Sequence, residues 1–452
     1  MEQLIPSLYY SYGKYVTEKK MLPNSIDGTI PVWKRLLLST HILARNEFVK
    51  TTEVTAYCMG HFHPYADSFG VAETLVQNGF IIGKGNWGSN LGIEPVGAAA
   101  PRYTGMKMDP AVEEICFKYI NDVIWEPDEV KPEPIFLPTM LPVCLFSGNE
   151  FNMIAFGFKT VIPNYTTNDL IKRLLYLLKQ KPKCIIKPNI LGCQILTGPK
   201  ELEEILTTPG KRTIEFKGSY TEVKKNFIVY INGWSPRTSF QNIFNKIDNF
   251  KDKSGTPSKL FSNGDVSYID ESTDKDGTKI RLEVSKARNR EKIYTKLLQT
   301  VKHCLKASLY YNIFVFTPGK GVEEMSVDEL LLSSYNHYKT ILNVHLENKL
   351  KVIDEDITEM GLIDKIRPHI TSLSNSKKSI DEIIEDLAKL INESVEVVSG
   401  IVNKYKIRKL LTVNTDKQKL VEEKKWTKEK LKDVDGYSIE HYTDLQKLLK
   451  QK

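Results

Sequence analysis

The sequence predicts a multidomain α+β protein, with an N-terminal domain over 1–165, an α/β domain over 166–325 and a helical arm over 326–452. Three observations point to it. The first 165 residues mix short apolar runs with Gly, Pro and aromatic residues. "NFIVYINGW" and "TKIRLEVSK" then alternate apolar and polar positions, as half-buried strands do. Beyond residue 326 the apolar residues fall at helical steps. At 452 residues the chain also exceeds one ordinary core.

Taken in order, "PVWKRLLLSTHILARNEF" opens on Pro31, suited to the first position of a helix, and spaces Leu36, Leu37, Ile42 and Leu43 helically. "DSFGVAETLVQNGF" reads as a second short helix, capped by Asp67 or Ser68 and stopped near Gly79. Helix, link, helix and Gly-rich loop together outline a winged helix-turn-helix. In the second domain Ile280, Leu282 and Val284 share one strand face, with Lys279, Arg281 and Glu283 on the other. Residues 245–277, rich in Lys, Asp, Ser and Gly, read as a loop. Ser326-x-x-Glu329 is a capping box ahead of Leu331, Tyr335, Tyr338, Leu342 and Leu346. Ser379-x-x-Glu382 opens another helix, with Ile380, Ile383, Ile384, Leu387 and Ile391 placed on one face. A long helix out and further helices back predict an extended antiparallel arm.

Hydrophobic content of 41% with 10% aromatics is that of a folded globular chain. No run of 18 apolar residues appears, and "MEQLIPSLYY" lacks the layout of a signal peptide, so a cytoplasmic protein is expected. The six cysteines are scattered without a CxxC pair and read as reduced core thiols. Net charge is +7, but it is uneven: residues 211–260 carry ten Lys/Arg against four Asp/Glu, and 404–432 carry eleven against four. Such blocks suit either a solvated face or a polyanion.

Four stretches carry chemistry: "DGTIPVWKR", "GHFHPYADS", "GKGNWGSN" and "GAAAPRYTG". Lys34, Arg35 and Lys84 are cations, and Gly83, Gly85 and Gly88 permit close approach of a phosphate to backbone N–H groups. His61 and His63 suit phosphate hydrogen bonding or proton transfer. Two histidines at i and i+2 also suit a metal, but no third ligand lies nearby and Pro64 argues for a loop. "GCQILTGPK" has the wrong spacing for an ATP-binding loop. In the last stretch Tyr103 follows Arg102 after a run of small residues, a setting suited to meeting a large anion.

In their order and spacing these stretches resemble the breakage-reunion subunit of type IIA DNA topoisomerases, represented in gyrase and topoisomerase IV by their A subunits. "LPNSIDGTIPVWKR" is similar to "LPDxRDGLKPVxRR", "GHFHPYADS" to "GxYHPHGDS", "GKGNWGS" to "GQGNFGS" and "AAAPRYT" to "AAAxRYT". "LPTMLPVCLFSGNEFNMIAFGFKTVIPNY" and "YIDESTDKDGTKIRLEV" are similar to two later family segments. The resemblance covers roughly residues 8–350 in order and is weaker beyond. In layout the resemblance is closest to the medium subunit of T-even-type phage enzymes, which implies an expectation of no C-terminal DNA-wrapping propeller.

The resemblance implies a winged-helix DNA-gate domain, an α/β tower domain and a coiled-coil arm with a dimer gate. It makes Tyr103 the nucleophile that forms a 5′-phosphotyrosyl link, with Arg102 stabilising the extra phosphate charge and His63 orienting or deprotonating. Lys34, Arg35, His61, Lys84, Asn86 and Ser89 become DNA contacts. Ile154 aligns with an isoleucine that wedges between base pairs, although on its residue type alone it reads as core. Mg²⁺ and ATP are expected on a B-type partner carrying the TOPRIM and ATPase domains, with double-stranded DNA and a second copy of this chain as the other partners. In a viral setting the compartment would be the bacterial host cytoplasm. The chain departs from the family pattern at Ile26, Ile30, Trp33 and Tyr65, where cations or histidines are usual. Those losses leave open a silent, dimeric DNA-binding protein on the same scaffold. A site-specific recombinase fits less well, because its tyrosine comes late in the chain.

Overall fold

The computed structural model describes residues 4–65, 67–127, 131–190, 192–251, 255–273, 275–285, 289–374, 379–405, 410 and 417–450. A first helix, α1 (Leu4–Val16), runs into a wider helical turn over Thr17–Met21. Pro31 then starts α2 (Pro31–Ala44), which buries Leu36, Leu37 and Leu38 completely. Ile42, expected on the buried face, is instead 44% exposed.

Strand β1 (Val49–Lys50) leads into α3 (Thr51–His61), a helix the apolar spacing does not announce. Its buried stripe is Thr51, Val54, Thr55 and Cys58, a helical repeat carried half by threonines. Helix α4 (Phe69–Gln77) follows; the Asp67 carboxylate accepts the Phe69 N–H at 3.1 Å, and the chain turns at Gly79 with φ +79°. Strands β2 (Ile81–Lys84) and β3 (Gly105–Met108) complete an antiparallel sheet of order β1-β3-β2. Asp109 caps α5 (Pro110–Cys116). Two hairpins come next: β4 (Trp125–Pro127) with β5 (Pro132–Pro134), then β6 (Phe151–Ala155) with β7 (Phe158–Ile162).

Helix α6 (Thr167–Leu177) precedes β8 (Cys193–Ile195), α7 (Pro199–Thr207), β9 (Arg212–Gly218), β10 (Tyr220–Val223) and β11 (Ile228–Ile231). After them come α8 (Phe240–Asp248), β12 (Val266–Asp270), β13 (Ile280–Val284), α9 (Arg290–Cys304), β14 (Lys306–Tyr311), β15 (Phe314–Thr317) and β16 (Gly321–Glu324). One antiparallel sheet has the order β10-β11-β13-β12 and another the order β14-β9-β8. Ile280, Leu282 and Val284 are buried as expected, packed with Ile243 and Ile247 of α8 and Leu297 and Val301 of α9. The stretch 245–277 is not all loop: β12 pairs with β13 along its whole length. Its Val266-Ser-Tyr-Ile-Asp pattern buries only Val266, so turn-type neighbours masked the strand.

Helix α10 (Val327–Ser374) starts at the expected capping box: Ser326 N–H donates to Glu329 at 2.7 Å, and Glu329 N–H to the Ser326 hydroxyl at 3.2 Å. Then follow α11 (Ile380–Ile391), α12 (Val395–Tyr405), α13 (Lys417–Lys432) and α14 (Val434–Lys450). The chain divides into two units, Met1–Tyr338 with Tyr442–Lys452, and Lys339–His441. In the first, Arg173 is fully buried, pairing with Asp328 at 2.6 Å and Glu203 at 3.1 Å. In the second, Ile363, Ile366 and Ile370 of α10 pack with Ile383, Ile384 and Leu387 of α11. Ile380, expected on that face, is 60% exposed. Lys349–Glu423, Lys424–Asp354 and Lys417–Asp364 ion pairs lace α13 antiparallel to α10. No described helix is long and apolar enough to cross a membrane.

Candidate functional site

Tyr103 ends a short 3₁₀ turn, Pro101–Tyr103, that enters β3. The turn is tied at both sides: Tyr103 N–H donates to Ala100 O at 2.9 Å, Thr51 N–H donates to Thr104 O at 3.1 Å, and the Thr104 hydroxyl donates to Thr51 Oγ1 at 2.8 Å. The backbone is therefore fixed by α3 and the sheet while the side chain projects, 66% exposed. The Arg102 guanidinium lies 4.8 Å from the Tyr103 ring centre. An exposed phenol beside a cation, on a backbone that does not have to move, suits attack on a large anionic substrate.

The Gly-rich stretch forms the floor beside this turn. Gly85 has φ +94°, and a Cβ there would lie 2.8 Å from the Tyr103 carbonyl oxygen, so only glycine allows this approach. Lys84 at the end of β2 is exposed and pairs in register with Gly105. The Asn86 carbonyl accepts the Ala99 N–H at 2.9 Å, and its side chain accepts the Gly88 N–H at 2.9 Å. Ser89 exchanges backbone bonds with Val96 at 2.8 Å, and its hydroxyl accepts the Leu91 N–H at 3.2 Å. Asn86 and Ser89 thus shape the loop that carries "GAAAPRYTG".

The histidine motif lies at the other end of α3. His61 stacks on Tyr57 with centroids 3.8 Å apart, and its Nδ1 is 3.1 Å from the Tyr57 carbonyl. Arg35 Nη1 donates to His63 Nδ1 at 3.3 Å, which places the proton of a neutral ring on Nε2. This favours orienting an oxygen over accepting its proton. Cys58, whose carbonyl accepts the His63 N–H at 2.8 Å, is buried, and burial pushes its thiol up, away from competing nucleophilic chemistry.

Lys34 and Arg35, read from sequence as phosphate cations, are turned inward. Arg35 forks onto Glu133 at 2.9 and 3.2 Å; Lys34 reaches the same carboxylate at 3.2 Å and donates to Pro134 O at 2.8 Å. Both are buried, so one acid on the β4–β5 hairpin takes up their charge. Sequence reasoning missed Glu133, which lies 98 residues from Arg35 between two prolines. It also missed Lys20, whose ammonium sits 4.4 Å over the Tyr65 ring. Lys20, Arg35, His63, Tyr65 and Glu133 line one cavity of about 590 Å³. The signal for Lys20 is only its place just before the first motif.

Ile154 lies on the β6–β7 hairpin opposite Lys159 and is 68% exposed, which overturns its reading as core. All six cysteines are free. Among the described residues no group of three or more His, Cys, Asp or Glu is placed to hold a metal ion.

Comparison with known proteins points to the same family. The family of DNA gyrase/topoisomerase IV A subunits matches residues 20–451. The DNA gyrase A subunit of Buchnera aphidicola subsp. Acyrthosiphon pisum is 25% identical over 95% of this chain and 49% of its own length. The DNA topoisomerase 4 A subunit of Streptococcus pyogenes serotype M3 is 24% identical over 83% of this chain and 48% of its own. The DNA gyrase A subunit of Campylobacter jejuni is 34% identical over a shorter stretch, 40% of this chain and 22% of its own length. The chain thus spans about half the length of the first two relatives, and the match to the third is shorter.

Proposed function

This chain belongs to the family of DNA gyrase/topoisomerase IV A subunits, and on that premise we propose that it is the DNA-cleaving and rejoining subunit of a type IIA topoisomerase. The observation that carries the reading is Tyr103, exposed beside Arg102 on a turn locked to the sheet. The Tyr103 oxygen attacks a backbone phosphorus, giving up its proton to a base or water. The P–O bond to the 3′ oxygen breaks, and that oxygen takes a proton from water or the protonated base and leaves as a hydroxyl. The new phosphodiester retains the bond energy, so the reverse attack reseals the strand without a new cofactor.

Residues 1–165 act in this reading as a winged-helix domain, 166–325 as a tower and 326–452 as an arm with a dimer gate. α2, α3 and α4 with the β1-β3-β2 sheet supply the first of these. Tyr103 and His63 sit at opposite ends of α3, an 11-residue helix of about 16 Å. The Tyr103 hydroxyl makes no hydrogen bond among the described residues. A homodimer would bring His63 of one copy to the phosphate attacked by Tyr103 of the other. Lys84 and His61 flank the DNA path, Lys20 takes up charge that Lys34 and Arg35 spend on Glu133, and Ile154 presses between base pairs.

Among the described residues of this chain no His, Cys, Asp or Glu cluster is placed to hold Mg²⁺, and a B-type partner with TOPRIM and ATPase domains would supply Mg²⁺ and ATP use. The internal pairing of Lys34 and Arg35 also favours a second reading, a dimeric DNA-binding protein that does not cleave. The test mixes the full chain, its B-type partner, Mg²⁺ and end-labelled duplex, then traps with detergent. A 5′-linked adduct that requires the partner and vanishes in Tyr103→Phe is expected. No adduct from the wild type, with a B-type partner shown to be active, establishes the second reading instead.

A further inference from the structure

The β6–β7 hairpin is a two-stranded sheet of its own, and a lone hairpin is marginally stable. Its β7 strand is well held. Val161 and Asn312 exchange backbone bonds at 2.8 and 3.0 Å, the Asn312 amide donates to Lys159 O at 2.8 Å, and Phe158 packs against Phe314 at 5.4 Å. These contacts reach along β7 to Lys159, opposite Ile154, and to Phe158 beside the turn, whereas β6, the strand that carries Ile154, pairs with β7 alone among the described strands. The tip turns at Gly157, with φ +78°, and carries Phe156.

Phe156 is met there by α1. Tyr9 and Tyr12, one helical step apart, approach its ring edge-on at 5.6 and 6.0 Å, and a Cβ on Gly13 would lie 3.5 Å from its Cγ. Edge-to-face pairs of this kind add attraction beyond the apolar area they cover. The arrangement is unusual in where it spends aromatic rings. Tyr9 and Tyr12 remain 63% and 58% exposed, so they gain little from burial, and the contact they make is with the hairpin tip. An apolar wedge that unstacks a base step meets an opposing force, and a tip free to bend back would yield to it.

We propose that Tyr9 and Tyr12 are positioning residues that clamp Phe156 and stiffen the β6–β7 tip, so that Ile154 can hold a DNA duplex in its bent form. The proposal rests on the reading of Ile154 as the wedge. Its consequence is specific: loss of the clamp weakens binding of DNA that must be deformed, and spares DNA that bends freely.

The experiment uses the full chain with its B-type partner and two fluorescently end-labelled duplexes, one intact and one with a short central single-stranded gap. Affinity and end-to-end energy transfer are read for each. The Tyr9→Ala/Tyr12→Ala double variant is expected to lose roughly tenfold in affinity for the intact duplex, with less bending, and to bind the gapped duplex like wild type. The Tyr9→Phe/Tyr12→Phe double variant keeps both rings and is expected to behave as wild type on both. Ile154→Ala should match the alanine double variant, and adding Phe156→Ala to it should cause no further loss. Equal losses on both duplexes would overturn the clamp, since they would mean general damage to binding. So would an unaffected alanine double variant alongside an impaired Ile154→Ala. If Ile154→Ala itself changes nothing, the wedge reading fails and takes the clamp with it.

Discussion

Lys34 and Arg35 stand next to each other in a motif that reads as phosphate-binding, yet both are buried against Glu133. Removing the acid would leave two cations without their carboxylate in a site that water barely reaches. Glu133→Ala is therefore expected to cost about 3–5 kcal/mol of stability, measured as a lowered urea midpoint at constant slope. A change below roughly 1 kcal/mol would mean that the pair is solvated and available to DNA after all. His337 supplies a pH dependence of its own. It packs edge-on against Phe136 at 5.8 Å, its Nε2 is buried without a hydrogen-bond partner, and burial holds it below the ordinary value of 6.5. A depressed folded value means the unfolded chain binds the proton more readily, so stability is full above 6.5 and is lost as pH falls through the folded value. His337→Phe should flatten the urea midpoint between neutral pH and about 5 relative to wild type; an unchanged slope would assign it to other groups.

At the scale of elements, Gly85 links the loop to Tyr103, the proposed nucleophile. With φ +94° and the Tyr103 carbonyl 2.8 Å from where a Cβ would stand, Gly85→Ala has no relaxed solution. Its strain is expected at about 1–3 kcal/mol, with a larger proportional fall in adduct yield because the 3₁₀ turn must shift. Melting temperature and trapped adduct measured together check this, and wild-type yield from a folded Gly85→Ala protein would count against it. The same elements show what a sequence reveals. β13 and the start of α10 are legible because their buried positions are Ile, Leu, Val and Tyr at clean alternate or helical spacing, whereas α2 is legible from Pro31 at its start although it buries an unbroken run from Trp33 to Thr40. α3 is hidden because threonines occupy half of its buried stripe, and β12 because four of its five residues are exposed. Tyr103, Arg102 and His63 stand out by their neighbours in the chain. Glu133, Lys20 and Phe156 do not, since each acts on a residue far away in sequence.

For the molecule as a whole, the chain leaves the first unit after Tyr338 and re-enters it at Tyr442. The exit and the return lie together: the two rings are 5.8 Å apart, and the buried Tyr442 hydroxyl donates to Met140 O at 2.5 Å. An excursion whose ends meet can be replaced by a short flexible link with little entropic penalty. A chain in which residues 343–437 give way to a brief Gly/Ser linker should therefore fold, bind duplex DNA and unfold cooperatively. If the excised helices carry the dimer gate, sedimentation should show weaker self-association than in the full chain. A second chain ending at Tyr338 tests the role of the return helix. Without Tyr442, Leu445 and Gln446, all buried, it should be less stable than the linked form. Equal stability of the two would show that the last turns of α14 are dispensable. An unfolded linked form beside a folded full chain would show that the first unit needs the second for its own core.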